Sequence, residues 1–245
     1  MIHSTSSQPR AVLWDMDGTL LDSAEYHWLA WREVLAAEGY DLSYEQFRAT
    51  FGQRNDTILR GYFGPDLPDS EVARIGEAKE ARYRELVRTR GVKLLPGVEH
   101  WLARLRAAGW RQAIASAAPL INIQTLVEVL GIGHYFDAMT SAEDVQRGKP
   151  DPQVFLVAAA RVEVPPPRCV VVEDAPAGLE GARRAGMRTI GVRSTHADLE
   201  ADIVVDTLED LPADAFDRLV EMSEERGTRN EERGTRNEER GTRER

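Results

Sequence analysis

The hydrophobic positions follow two different rhythms along the chain. Residues 11–14, Ala-Val-Leu-Trp, form a short apolar run without a polar face, the pattern of a strand buried on both sides. From Ser23 to Glu38 the period lengthens, and Ala24, His27, Trp28, Trp31, Val34 and Leu35 share one face of a helix that Gly39 can stop. Helical patterns continue over 43–50, 55–63 and 69–90, broken by Gly52, Gly64-Pro65 and Pro68. Nothing between Asp22 and Arg90 reads as a strand, so residues 22–94 form one helical insertion.

After Leu94-Leu95-Pro96-Gly97 the pattern becomes strict alternation. Strands are expected at 111–115, 138–140, 169–172, 188–192 and 203–205, and helices at 98–108, 120–130, 152–161, 177–185 and 213–222. Alternation of this kind predicts an α/β fold, a Rossmann-like, doubly wound parallel sheet with helices on both faces. The first strand precedes the insertion. Residues 1–21 and 95–223 therefore make the α/β core domain, and 22–94 an inserted helical-bundle cap domain joined to it by two crossings. Such a cap can close over the carboxyl edge of the sheet and exclude water; a fixed decoration is the alternative.

Two terminal segments stand apart. Residues 1–10 are polar and Ser-rich and read as a loose arm. From Glu224 the heptamer Glu-Glu-Arg-Gly-Thr-Arg-Asn repeats to Arg245, but no position in it is apolar, which excludes a coiled coil and predicts a solvated, disordered extension. The acids and bases of this tail cancel, so the net charge of −10 belongs to residues 1–223. That charge argues against nonspecific binding to nucleic acid or to an anionic membrane. No apolar run has the length of a membrane span, and Cys169 is the single cysteine, so the expectation is a cytoplasmic protein without disulfides. Lys79, Lys93 and Lys149 are the only lysines, against 28 arginines.

The chemistry lies where strands end. The first stops at Asp15-Met16-Asp17-Gly18, which places carboxylates in the crevice where parallel sheets bind ligands. Asp15 can act as a carboxylate nucleophile, and Asp17 can protonate a leaving oxygen and later deprotonate water. A turn that only bends the chain is the competing reading. The second strand ends at Ser116-Ala117-Ala118, whose hydroxyl can bind a phosphoryl oxygen or cap the next helix. Lys149 sits between Gly148 and Pro150, either as a surface lysine or as an ammonium that offsets phosphoryl charge. Glu173-Asp174 closes another strand with hard oxygen donors suited to Mg²⁺, or with acids favoured at a helix N-terminus.

The string Asp15-Met16-Asp17-Gly18-Thr19-Leu20-Leu21-Asp22-Ser23 resembles the first motif of the haloacid dehalogenase-like (HAD) superfamily, and Ala24-Glu25-Tyr26-His27-Trp28 looks like its β-phosphoglucomutase-like branch. The stretches around Ser116, Lys149 (Gly-Lys-Pro-x-Pro) and Glu173-Asp174 resemble the remaining motifs and occur in the family's order. The resemblance implies Asp15 as nucleophile and Asp17 as acid–base, with Ser116, Ala117 and Lys149 holding the transferring phosphoryl group. It implies Mg²⁺ held by Asp15, Asp174, Glu173 and the backbone carbonyl of Asp17. From the cap it implies substrate contacts by His27, by Gly52 and Arg54 near a distal phosphate, and by Lys79; a solvated helix charge is the plainer reading of Arg54 and Lys79. One departure stands out: mutases of this type tend to carry a lysine shortly before that arginine, and here the segment is Arg48-Ala49-Thr50-Phe51-Gly52.

The expected activity is Mg²⁺-dependent phosphoryl transfer through an aspartyl-phosphate on a small phosphorylated metabolite. A sugar-phosphate phosphatase is the first reading, and a β-phosphoglucomutase interconverting β-glucose 1-phosphate and glucose 6-phosphate the alternative. A dehalogenase would not need Asp17 or a metal, and a phospho-accepting signalling domain would not need a lid. The chain is expected to act as a monomer.

Overall fold

The computed structural model describes residues 8–223. The repeat tail and residues 1–7 of the expected loose arm lie outside them. Six parallel strands form one sheet in the order β3-β2-β1-β4-β5-β6: β1 (Ala11–Trp14), β2 (Arg111–Ala115), β3 (Ala138–Thr140), β4 (Cys169–Glu173), β5 (Arg188–Val192) and β6 (Ile203–Val205). Alternate residues of the central strands feed two cores. Val12 and Trp14, with Ile114, Val170 and Val172, pack on α5 (Val98–Ala107), α6 (Leu120–Leu130) and the closing helix α9 (215–223). Ala11 and Leu13, with Ala113, Ala115 and Val171, pack on α7 (Gln153–Arg161) and α8 (Pro176–Arg184). Burial on both faces explains why these strands show no polar alternation.

Sequence order runs from β1 to β2 and β3 on one side, then returns to β4 on the other. The switch point therefore lies between β1 and β4, at their carboxyl ends. Register pairs Trp14 with Val172, and the Asp15 N–H continues the ladder to the Val172 carbonyl at 3.0 Å, so Asp15 stands beside Glu173.

Between β1 and α5 come α1 (Ala24–Ala37), α2 (Tyr44–Thr50), α3 (Asn55–Phe63) and α4 (Asp69–Arg90). An isolated bridge pairs Leu21 with Leu94, tying together the points where the chain leaves the sheet and returns. Trp31, Leu35, Phe47, Ile58, Leu59 and Ile75 form a separate apolar cluster within these helices. The long α4 serves both bodies, because its later residues Tyr83, Leu86 and Val87 join the cluster of the sheet.

The expectation of a loose arm fails for its last residues. Arg10 pairs with Asp217 and lies over the Trp110 ring at 4.5 Å, while Arg168 donates to the carbonyls of Gln8 (2.8 Å) and Pro9 (2.9 Å). Partners from distant segments anchor this stretch, which its own composition does not announce.

Candidate active site

Three buried carboxylates meet at the switch point. Asp15, Glu173 and Asp174 each offer a ligand oxygen, all within 4.8 Å of one another. Two glycines make room for them: a Cβ at Gly18, whose φ is +89°, would collide with the Asp174 carboxylate, and one at Gly178 with that of Glu173. Lys149 bonds Asp15 and donates to Glu173 Oε2 at 2.7 Å. Glu173 Oε1 accepts from the backbone N–H groups of Asp174 and Ala175, both at 3.2 Å. Asp174 accepts from Thr195 and, at 3.3 Å, from Thr19.

One ammonium does not balance three acids. Burial, then the neighbouring Glu173 carboxylate, pushes Asp15 up to about 8 against the pull of Lys149. Burial likewise raises Glu173 to about 7 and Asp174 to about 6, with the adjacent carboxylates adding to it. Burial alone would depress Lys149, but Asp15 and Glu173 more than reverse this and hold it above its ordinary value. A cluster of hard oxygens that holds protons for want of positive charge fits a divalent cation such as Mg²⁺.

Asp17 points the other way. Its carboxylate lies outside the triad and faces the helical insertion. There Ser23 donates to it, with His27 Nε2 and the Tyr83 hydroxyl each 3.5 Å away. Ser23 occupies the N-cap position of α1 yet makes no side-chain cap bond; Asp22 takes over by accepting from the Ala24 N–H at 3.1 Å. Burial alone would raise Asp17, but His27, Ser23 and the Lys79 charge behind them hold it below its ordinary value.

The other sequence-derived residues line the same cleft, of about 1020 Å³, between sheet edge and helices. Ser116 and Ala117 form its sheet side, and Ser116 Oγ accepts from the Ala118 N–H at 3.1 Å. It does not cap α6: Pro119 holds that position, and the Leu120 N–H goes to Glu143 at 3.0 Å. Across the cleft are Gly52, with φ +84°, and Arg54, whose stem rests against Gly148 and whose Nε donates to Asp56 at 3.3 Å. Arg48 is exposed and is not among the lining residues.

Lys79 corrects the reading of a solvated helix charge. It is 2% exposed, donates to Glu80 at 2.8 Å, lies 2.9 Å from His27 Nδ1, and sits over the rings of Trp31 and Tyr83 at 5.2 and 5.5 Å. Position in α4 only half announces this: Glu80 and Tyr83 are its neighbours on the same helix, but His27 and Trp31 come from α1. Sequence reasoning also missed Tyr83, Glu80 and Thr195. Tyr83 follows Lys79 by one helical turn, a spacing that places both on one face and was available as a signal. Thr195 follows β5 with no local mark of its role.

With this geometry established, similarity to known proteins decides the family. The family model for haloacid dehalogenase-like hydrolases matches residues 9–186. The chain belongs to that family. Relatives of the haloacid dehalogenase-like chain include the beta-phosphoglucomutase of Bacillus subtilis, 31% identical over 210 residues that cover 82% of this chain and 91% of the relative. The fructose-1-phosphate phosphatase YqaB of Escherichia coli is 34% identical over 187 residues, covering 74% and 95%. Among solved structures, CbbY from Rhodobacter sphaeroides in complex with phosphate is similar with a TM-score of 0.79 and 28% identity, over 86% of this chain and all of that one. The chain is thus an enzyme, a phosphatase or a phosphomutase. Among the described residues, no helix is long and apolar enough to cross a membrane.

Proposed function

We propose that this enzyme is a Mg²⁺-dependent phosphatase of small sugar phosphates, working through an aspartyl-phosphate on Asp15 as a cytoplasmic monomer. The observation that carries the reading is the opposed setting of two aspartates: Asp15 sits among acids with Lys149 at its side, and Asp17 faces the cleft's other wall beside His27. Environments that push two carboxyls apart assign them different chemical tasks. Asp15, Glu173 and Asp174 would hold the Mg²⁺, which when bound supplies positive charge for the acids and the phosphoryl oxygens.

Asp15 attacks phosphorus in line, and the bond to the sugar oxygen breaks. Asp17 is ionised in the free enzyme; a dianionic phosphate entering beside it raises its proton affinity, and the proton it takes up goes to the departing oxygen. Lys149 and Ser116 steady the charge spread over the phosphoryl oxygens. Asp17, ionised again, then removes a proton from the water that attacks the aspartyl-phosphate. Phosphate leaves and Asp15 is restored.

Turnover of a bisphosphate intermediate in place of water would make the enzyme a mutase, and the Bacillus subtilis relative supports weighing that reading. The missing lysine before Arg54, and Arg48 lying away from the cleft, favour hydrolysis. The deciding experiment offers purified protein and Mg²⁺ a panel of sugar and polyol phosphates. It scores both free phosphate and conversion of β-glucose 1-phosphate to glucose 6-phosphate. Phosphate release with little isomerisation is expected; dominant isomerisation would replace this reading with the mutase.

A further inference from the structure

Among the described residues, the steps above leave one buried acid without a role. Glu80 is 6% exposed, yet each of its oxygens is bonded. Oε1 accepts from Lys79 at 2.8 Å and from Asn55 of α3 at 2.7 Å. Oε2 accepts from Asn122 of α6 at 2.5 Å. Arg84, one turn further along α4, donates to the Asn122 carbonyl oxygen at 2.7 Å, which turns the amide nitrogen toward Glu80. The carboxylate therefore joins two helices of the insertion to a helix of the sheet body at one point.

What it holds is Lys79. An ammonium carries donors and no lone pair, so at 2.9 Å it donates to His27 Nδ1, and the hydrogen of the imidazole sits on Nε2. That nitrogen is 3.5 Å from Asp17 Oδ1, and the ring is steadied by stacking on Tyr83 with centroids 4.0 Å apart.

We infer that Glu80 is a positioning residue: anchored by Asn55 and Asn122, it fixes Lys79 against His27 Nδ1 and so aims the His27 Nε2–H at Asp17. The inference rests on Asp17 being the acid in the proposed reaction. Without the Glu80 charge, buried Lys79 loses its carboxylate partner and its fixed distance to His27. The ring is then free to turn, and the acid is no longer held for the leaving oxygen.

The test compares kcat/KM for two leaving groups. The alkyl substrate is the sugar phosphate turned over fastest in the panel above, which needs its oxygen protonated; p-nitrophenyl phosphate departs as a weakly basic phenolate and does not. Glu80→Gln keeps the shape and removes the charge. It is expected to lower kcat/KM for the sugar phosphate by about 10–100-fold, the scale of a misplaced catalytic group, with p-nitrophenyl phosphate changed far less. Combining it with Lys79→Gln should cost no more than Lys79→Gln alone. Asn122→Ala, which leaves the Lys79–Glu80 pair intact, should give a smaller loss with the same selectivity and serves if Glu80→Gln does not fold. Equal losses for both substrates, no loss, or effects of Lys79 and Glu80 that multiply would each overturn the inference. Asp17→Ala is the control. If it too fails to distinguish the leaving groups, the acid role of Asp17 is wrong and the inference falls with it; if it distinguishes them and Glu80→Gln does not, only the inference falls.

Discussion

The two walls of the cleft solve the problem of buried charge in opposite ways. On the sheet edge, Asp15, Glu173 and Asp174 share one ammonium, and burial drives all three toward the protonated form. On the helical side, Asp17 and Glu80 face Lys79, His27 and a set of hydroxyl and amide donors. Burial is outweighed there, and both acids stay below their ordinary range. The helical wall is electrostatically complete as the chain alone builds it. The sheet edge is short of positive charge and fits an added cation, so the difference separates a wall suited to a metal ion from a wall whose acids are held ionised by the chain's own donors.

Four measurements probe this contrast. Asp15→Asn removes the nucleophile and keeps the shape; Mg²⁺-dependent phosphate release is expected to fall by about 10⁴-fold or more. Substantial remaining turnover would mean that the sheet edge does not carry the covalent step. Gly178→Ala should leave the fold intact, since alanine suits the first turn of α8, while its methyl displaces Glu173. Mg²⁺ affinity, followed by titrating activity, should weaken by about 10–100-fold; unchanged affinity would remove Glu173 from the metal's surroundings.

The third concerns pH. Asp15, Glu173 and Asp174 lie at about 8, 7 and 6 in the folded, metal-free protein, against an ordinary value near 4. Between about pH 4 and 8 the folded state therefore binds more protons than the unfolded chain, so stability falls as pH rises through this window. In chelator the melting temperature should be lower at pH 8 than at pH 5, by about 2–4 °C for each kcal/mol lost. Mg²⁺ should restore more at pH 8, where it displaces fewer protons. A chelated protein that melts higher at pH 8 would contradict the picture of an edge short of positive charge. The smallest effect is expected from deleting residues 224–245, a charged repeat that contains none of the candidate site residues: kcat/KM should be unchanged by steady-state assay.

Much of the framework was legible beforehand. The bounds of β2, β3, β5, β6, α3, α4 and α6 coincide with those read from the hydrophobic pattern. β4 runs one residue further, to Glu173, because that carboxyl-bearing residue still pairs with Gly191 of β5. Asp15, Asp17, Ser116, Lys149, Glu173 and Asp174 were visible because each ends a strand or sits in a turn of marked composition. Glu80 and Asn122 were not: a glutamate on a helix with many charges and an asparagine early in an apolar helix look like ordinary surface residues. The bond between them exists because α4 crosses from the insertion to pack beside α6.

The order of the amino acids alone settled where strands and helices lie and which carboxylates gather at the sheet's edge. Apolar period and turn residues act over a few neighbours, and a parallel sheet sends every strand's end to the same side. Only the packed molecule decided that Asp17 turns away from the other acids, that Lys79 is buried, and that Glu80 has three partners from three helices. Those outcomes depend on how α1, α3, α4 and α6 cross, and so on distances between residues far apart in sequence that no local pattern encodes.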